Sequence, residues 1–392
     1  MSDAMKTPYF LVRQNILSQN IKGFQDALSN LWPNSLIAYS VKTNSLPWIL
    51  GWMNRHDVYA EVVSDEEYQL ALLSGFPADR IVFNGPIKTD EFLTKAFNGG
   101  SIINVDSQHE LDYILRMKPS VKGYIGIRVN MDPKLFPEDD VGYQEEGFRF
   151  GFSDENGELE KALDLLKQVY GDIPLGLHMH VNSITRSPEI YQVLAVHAAG
   201  IIRKYSLKPA YVDIGGGFFG GVPGKTTPEE YIRVIRQELE DTVDISRTKL
   251  IIEPGSAAVG SAIELHTSVI DVKDTVCARI VTTDGSRIHI DPLWLKKRYL
   301  YTTTVWEEKA KHPKQIICGY TCMDRDRIMV IENEPELLVG DQIIYHRVGN
   351  YTVTFGGPFI RPFPSVYVET ESGIQLIRKK MTMEEYYRME TT

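Results

Sequence analysis

Lys42 closes an apolar, strand-like run from Ser35 to Asn44. An amine on a rigid β-segment among apolar neighbours is desolvated, which favours its neutral, nucleophilic form and suits it to Schiff-base chemistry. The plainer reading is a lysine snorkelling at a strand end. Later segments give it company. The stretch from Asp213 to Gly221 carries three consecutive glycines, Gly215, Gly216 and Gly217, and then two more. Such a stretch is either a tight loop or a cradle whose backbone N–H groups close on a phosphate, aided by a following helix N-terminus. No Gly-Lys-Ser/Thr follows, and the run lies late for a dinucleotide fingerprint. Glu253 ends an apolar run that Pro254 stops, so one carboxylate is delivered among low-dielectric walls. It can face a protonated ring nitrogen or pair with an arginine. His178 and His180 alternate along one strand and share a face. They can stack on a planar group, belong to the core, or suggest a metal. No third ligand at standard spacing accompanies them, so no metal site is expected.

An amine, an anion cradle, a buried carboxylate and a stacking ring together are what pyridoxal phosphate needs. The elements that would position them recur along the chain. Near-continuous apolar runs lie at 36–41, 58–63, 81–84, 102–105, 124–130, 175–181, 211–214 and 250–253, with helical periodicity between them, as in 65–73 and 159–170. Eight such strands alternating with helices read as a (β/α)8 TIM-like barrel, with an open doubly wound sheet as the competing arrangement. Polar residues and glycines gather at the C-terminal ends of the runs, among them Lys42, Glu61, Asn84, Asp106, Arg128, His180, Ser183 and Glu253. In a barrel these ends converge on the ligand-binding face, which favours the barrel.

After about residue 265 the pattern changes to short alternating β-branched runs separated by turn signals, an antiparallel β domain. The strand at 9–12 is expected to join it, followed by a helix over 15–32. The domains expected are therefore 1–33, 34–265 for the barrel, and 266–392 for the β domain.

At 392 residues, two domains are the expectation, and the 43% apolar and 24% charged shares are those of a soluble globular protein. The net charge of -10 argues against nucleic acid or an anionic membrane as partner. Cys277, Cys318 and Cys322 do not make a disulfide framework. With no leader-like N-terminus and no apolar run of about 18 residues, a cytoplasmic protein is expected.

The chain resembles the fold-type III pyridoxal-phosphate decarboxylases, which include diaminopimelate, ornithine and biosynthetic arginine decarboxylases. The resemblance rests on segments in family order: 39–44 around Lys42, 60–64 around Glu61, 127–130 around Arg128, 149–151, 180–183, 213–217, 253–255, 318–326, and 339–341 through 349–351. It implies that Lys42 carries the cofactor as a Schiff base, that His180 stacks on its ring, and that Glu253 meets the pyridine nitrogen. Gly215, Gly216, Gly217, Ser183 and Tyr351 would hold the phosphate, while Glu61 and Arg128 would tune the lysine. Cys322 would protonate the product from a neighbouring subunit, which implies a homodimer with shared active sites.

Departures from the family pattern bear on function. Ser256 stands where a phosphate-binding arginine is usual, leaving Arg186 as an alternative cation. Met323 follows Cys322 where members acting on diamino acids place an acid. Recognition of a distal ammonium is weakened unless Asp324 or Asp326 substitutes. The expected activity is thus decarboxylation of an α-amino acid whose distal end is not a simple ammonium, such as a carrier-bound or siderophore-precursor amino acid. The alternatives are an amino-acid racemase, against which Glu253 argues, and a non-catalytic relative.

Overall fold

The computed structural model describes residues 5–296, 298–305 and 309–391. The described residues divide into two units, one formed by residues up to 19 together with those from 259 onward, the other by Asn20–Ala258.

The second unit is a closed barrel of eight parallel strands: Ser35–Ser40, Tyr59–Val62, Ile81–Phe83, Ile102–Val105, Tyr124–Asn130, Gly176–His178, Tyr211–Asp213 and Lys249–Ile252. The last strand pairs with the first through Leu250 and Ser35, and every other strand pairs with its successor, which leaves no free edge. A closed sheet is covered on both faces, which is why these runs are almost continuously apolar. Inside the barrel floor, Leu36, Ala38, Val82, Ile102, Tyr211 and Ile251 form one buried cluster. The barrel interior is therefore packed at its floor, and functional groups are confined to the opposite end.

The surrounding helices begin where the sequence signals a start. Thr227 caps Pro228–Leu239 in a full capping box with Glu230, Ser64 caps Asp65–Leu73, and prolines open Pro47–Arg55 and Pro188–Lys204. Among the described residues no helix is long and apolar enough to cross a membrane.

The other unit is built on a nine-stranded mixed sheet. Its path runs Arg327–Ile331, Gln315–Cys318, Arg279–Thr283, Ile263–Asp274, Tyr9–Arg13, Ser365–Thr370, Gly373–Arg378, with Gln342–His346 added on Ile263–Asp274 and Leu300–Thr304 added in turn on Gln342–His346. The N-terminal strand joins this sheet as expected. Six of the described pairings are antiparallel, but Tyr9–Arg13 runs parallel to Ser365–Thr370, and Arg279–Thr283 parallel to Gln315–Cys318. Both parallel pairs are joined by long excursions rather than hairpins, which is what a parallel return requires.

Candidate active site

Lys42 sits in the short 3-10 turn Val41–Thr43, immediately past the first barrel strand. Its Nζ lies 2.6 Å from Glu61 Oε2 and donates to Ser40 Oγ at 3.1 Å. Glu61, on the second strand, is buried, and its second oxygen accepts from Asn84 Nδ2 at 3.2 Å. Burial alone would lower the basicity of Lys42. The charges of Glu61 and Glu253 outweigh it and raise the amine above the ordinary lysine value. The expectation of a neutral lysine, drawn from apolar neighbours, is corrected by acidic groups brought in from other strands.

Glu253, just past the last strand, is buried beside Asp213. Its Oε1 accepts from Asn84 Nδ2 at 2.5 Å, and its Oε2 lies 3.9 Å from His178 Nε2. Among the described residues the basic side chain nearest this carboxyl is thus the His178 imidazole, not an arginine. Burial, followed by the Asp213 and Glu61 charges, pushes the Glu253 carboxyl well above its usual range. Burial raises Asp213 to about 7, although Gly215 N–H donates to it at 2.9 Å. This carboxyl pair is in position to hold a proton between its members.

His178 and His180 present nearly parallel rings, 11° apart with centroids separated by 6.4 Å. Both are neutral: burial first, and then the Arg128 charge, drives His180 down to about 3 and His178 well below its usual value. Among the described residues neither buried nitrogen of His178 has a hydrogen-bond partner. Ligand atoms of His178, Asp213 and Glu253 come within 4.8 Å of one another. The carboxyls there are already engaged by Asn84, Asn104 and the Gly215 amide.

The glycines have two distinct jobs. A Cβ on Gly215 would fall 2.4 Å from His180 Nδ1, and one on Gly216 would fall 2.3 Å from the Glu253 carbonyl oxygen. These two positions let the loop pack against His180 and the last strand. Gly217, at φ +89°, is exposed and turns the backbone outward. The helix that follows begins only at Pro228. Ser183 Oγ accepts from Arg186 N–H at 2.8 Å, and the Arg186 guanidinium lies 5.4 Å from the centre of Phe219, in the same glycine segment. Lys225 approaches that ring from 5.3 Å. Ser183 and Arg186 therefore belong to one turn beside the glycines, while Ser256 opens a four-residue helix.

Arg128 donates to Asp106 at 3.0 Å and covers the Phe150 ring at 4.6 Å. Arg149 covers that ring at 4.4 Å. From Arg128 and His180 a cavity of about 650 Å³ extends outward, lined by Met131, Tyr143, Phe148, Phe150 and Ile184 together with Arg149 and Glu146.

Cys322, Met323, Asp324, Asp326 and Tyr351 belong to the other unit. Cys322 is an exposed free thiol in the loop between Gln315–Cys318 and Arg327–Ile331. Asp324 is exposed and Met323 half-buried. Asp326 is buried and accepts hydrogen bonds from Ser286 Oγ at 2.9 Å, Arg287 N–H at 2.8 Å and Thr321 Oγ1 at 2.6 Å. Its carboxylate organises the loop that displays Cys322, so both its oxygens are already engaged. Tyr351 adopts φ +60° at the start of Thr352–Phe355.

A lysine amine, a buried carboxyl, a stacking imidazole and a glycine-lined turn meet within the barrel unit, and this donor set suits pyridoxal phosphate. Residues 17–260 match the profile of the pyridoxal binding domain of pyridoxal-dependent decarboxylases. The chain belongs to this family. It is a distant homologue of diaminopimelate decarboxylases and a pyridoxal-phosphate-dependent amino-acid decarboxylase. The probable chloroplastic diaminopimelate decarboxylase of Oryza sativa subsp. japonica is 28% identical, over 99% of this chain and 80% of that protein. The Helicobacter pylori diaminopimelate decarboxylase is 28% identical over 98% of this chain and 96% of its own length. The crystal structure of the H. pylori enzyme complexed with L-lysine superposes with a TM-score of 0.83 at 26% identity, covering 99% of this chain and 97% of that one. The arginine decarboxylase of Paramecium bursaria Chlorella virus bound to agmatine gives 0.75 at 23% identity, over 94% and 96% of the two chains. That second likeness shows the fold.

Several members of this decarboxylase's site carry little signal in the sequence. Asp213 shows in the sequence only as the start of the glycine segment. Glu67, whose Oε2 accepts from Val63 N–H at 2.9 Å, carried the signal of a helix-start Ser-x-x-Glu pattern. Asn104 and Tyr211 lay inside strands and carried no signal of their own.

Proposed function

We propose that this enzyme decarboxylates an α-amino acid whose distal end is not a simple ammonium. The observation that carries this reading is the cavity beside Arg128 and His180. Its walls are mostly aromatic and aliphatic; Arg128 is already paired with Asp106, which leaves the Arg149 guanidinium against the single carboxylate of Glu146. A distal ammonium finds no excess of acid there to offset its desolvation, whereas an apolar or neutral extension is accommodated. Met323 beside Cys322, and the engagement of Asp326 within its own loop, support the same conclusion.

The roles follow from the chemistry of each residue. Lys42 holds the cofactor covalently, and Glu61 controls where its proton resides. Glu253 faces the ring nitrogen and His180 covers the ring. Gly217 and Ser183 hold the phosphate, with Arg186 supplying the charge that Ser256 lacks. Bound pyridoxal phosphate supplies an electron sink for the pair released when the bond from Cα to the carboxylate breaks. Which bond breaks is set by the residues that turn the α-carboxylate out of the ring plane. Cys322, contributed by a second subunit of a homodimer, returns the proton to Cα.

The test is carbon dioxide release from a panel of free and conjugated amino acids, including diaminopimelate, read beside product mass. Conjugated or neutral-ended substrates should turn over at least about tenfold faster than diamino acids, the scale of one charge mismatch at a buried site. Preferential turnover of diaminopimelate would overturn the reading.

A further inference from the structure

One amide nitrogen reaches both acids that frame the lysine. Asn84 Nδ2 donates to Glu253 Oε1 at 2.5 Å and to Glu61 Oε1 at 3.2 Å. An amide nitrogen has two hydrogens, so both acceptors are served at once. The amide cannot be turned over without loss. Its Oδ1 accepts from Asn104 Nδ2 at 2.8 Å, and reversal would set that oxygen against two carboxyl oxygens and two NH2 groups against each other.

The direction of Asn104 is fixed in turn. Its Oδ1 accepts from Tyr211 Oη at 2.6 Å, and its Nδ2 also donates to Asp213 Oδ2 at 3.3 Å. Burial, followed by the charges of Asp213 and Glu253, raises the Tyr211 phenol well above its usual value, so it stays a donor. Two glycines make room for it. A Cβ on Gly126 would fall 2.2 Å from Tyr211 Oη, and one on Gly176 would fall 2.0 Å from the ring carbon bearing it. The phenol thus reaches across neighbouring strands to begin a chain of donors, Tyr211 to Asn104 to Asn84. The chain ends on the three buried acids.

We propose that Asn84 is a positioning residue that sets Glu253 toward the cofactor's ring nitrogen, with Tyr211 and Asn104 fixing the direction of its amide. The inference rests on the reading that Glu253 meets that nitrogen. A neutral donor at a buried carboxyl favours its ionised form and confines the oxygen to one place. Without Asn84, Glu253 is left to Asp213 and His178, and its preference for a protonated ring weakens. Asn84 itself needs no contact with the cofactor.

The experiment compares equilibrium binding of pyridoxal phosphate with that of its 1-deaza analogue, which keeps aldehyde and phosphate but has carbon in place of the ring nitrogen. Full-length wild type, Asn84→Ala, Asn104→Ala and Glu253→Ala are measured. Wild type should prefer pyridoxal phosphate. Asn84→Ala should reduce that preference about tenfold, the scale of one hydrogen bond to a charged group, while leaving analogue affinity unchanged. Asn104→Ala removes only the partner that orients the amide and should move the ratio in the same direction, including where Asn84→Ala fails to fold. Equal weakening of both ligands, or a ratio that Glu253→Ala abolishes and the asparagine variants leave intact, overturns the role of Asn84 alone. A wild-type ratio that Glu253→Ala does not change overturns the assignment of Glu253, and that of Asn84 with it.

Discussion

Lys42 Nζ and Glu61 Oε2 are 2.6 Å apart, although they are carried by different barrel strands or the turn that follows them. The glutamate is 1% exposed while the lysine side chain is 39% exposed, so solvent screens the pair only from the lysine's side. It holds the proton on Lys42 against the pull of burial.

Glu61→Gln should therefore release that proton more readily. The pH profile for capture of pyridoxal phosphate, followed by the visible absorbance of the lysine-bound cofactor, should move to lower pH by about one unit or more. An unmoved profile would remove Glu61 from control of the lysine.

Glu67 lies in the helix that follows the strand carrying Glu61, and burial followed by the Glu61 charge raises it to about 7. An acid with a raised folded pKa binds its proton more tightly when folded, so its contribution to stability is present at low pH and lost as pH rises through about 7. In the cofactor-free protein, Glu67→Gln should gain on wild type between pH 5 and pH 8, by on the order of 1–2 kcal/mol. Denaturant melts at the two pH values check it. A difference independent of pH would contradict it.

Arg186 stands beside the glycine segment where Ser256 supplies no charge. Arg186→Ala should weaken pyridoxal phosphate about tenfold, the loss of one charge-assisted contact, and leave pyridoxal unaffected. Titration of both ligands by absorbance separates phosphate recognition from general damage. Equal losses would return Arg186 to a packing role on Phe219.

Asp326→Ala would leave the Ser286 and Thr321 hydroxyls and the Arg287 amide without their acceptor. It should cost about 3 kcal/mol in chemical unfolding. Cys322→Ala should leave stability and cofactor content unchanged, while slowing turnover or diverting the product. A cysteine variant with full activity and the normal product would make Cys322 structural.

Much of the barrel was legible because its strands are buried on both faces and announce themselves as apolar runs ending in Lys42, Glu61, Asn84, Arg128 and Glu253. The charge on Lys42 was not legible: sequence neighbours gave an apolar surrounding, while Glu61 and Glu253 arrive through barrel closure. Asn104 and Tyr211 were hidden because a polar side chain turned into a barrel looks, in one dimension, like an interruption of an apolar strand. The two parallel pairings of the β domain were equally hidden, since alternation reports which face a residue takes and not which way its neighbour runs. Asp326 stands out in the sequence only as a substitute for the acid missing after Cys322. The donors that engage it, Ser286 and Arg287, come from far upstream.

The central claim is that the cofactor is tethered at Lys42, with Glu253 facing its ring nitrogen. Borohydride reduction of the cofactor-loaded protein, followed by peptide mass mapping, tests the tether most directly. A pyridoxyl group on the peptide containing Lys42 is the expected result. The same group on another lysine, such as the buried Lys88, with Lys42 unmodified, would contradict the account.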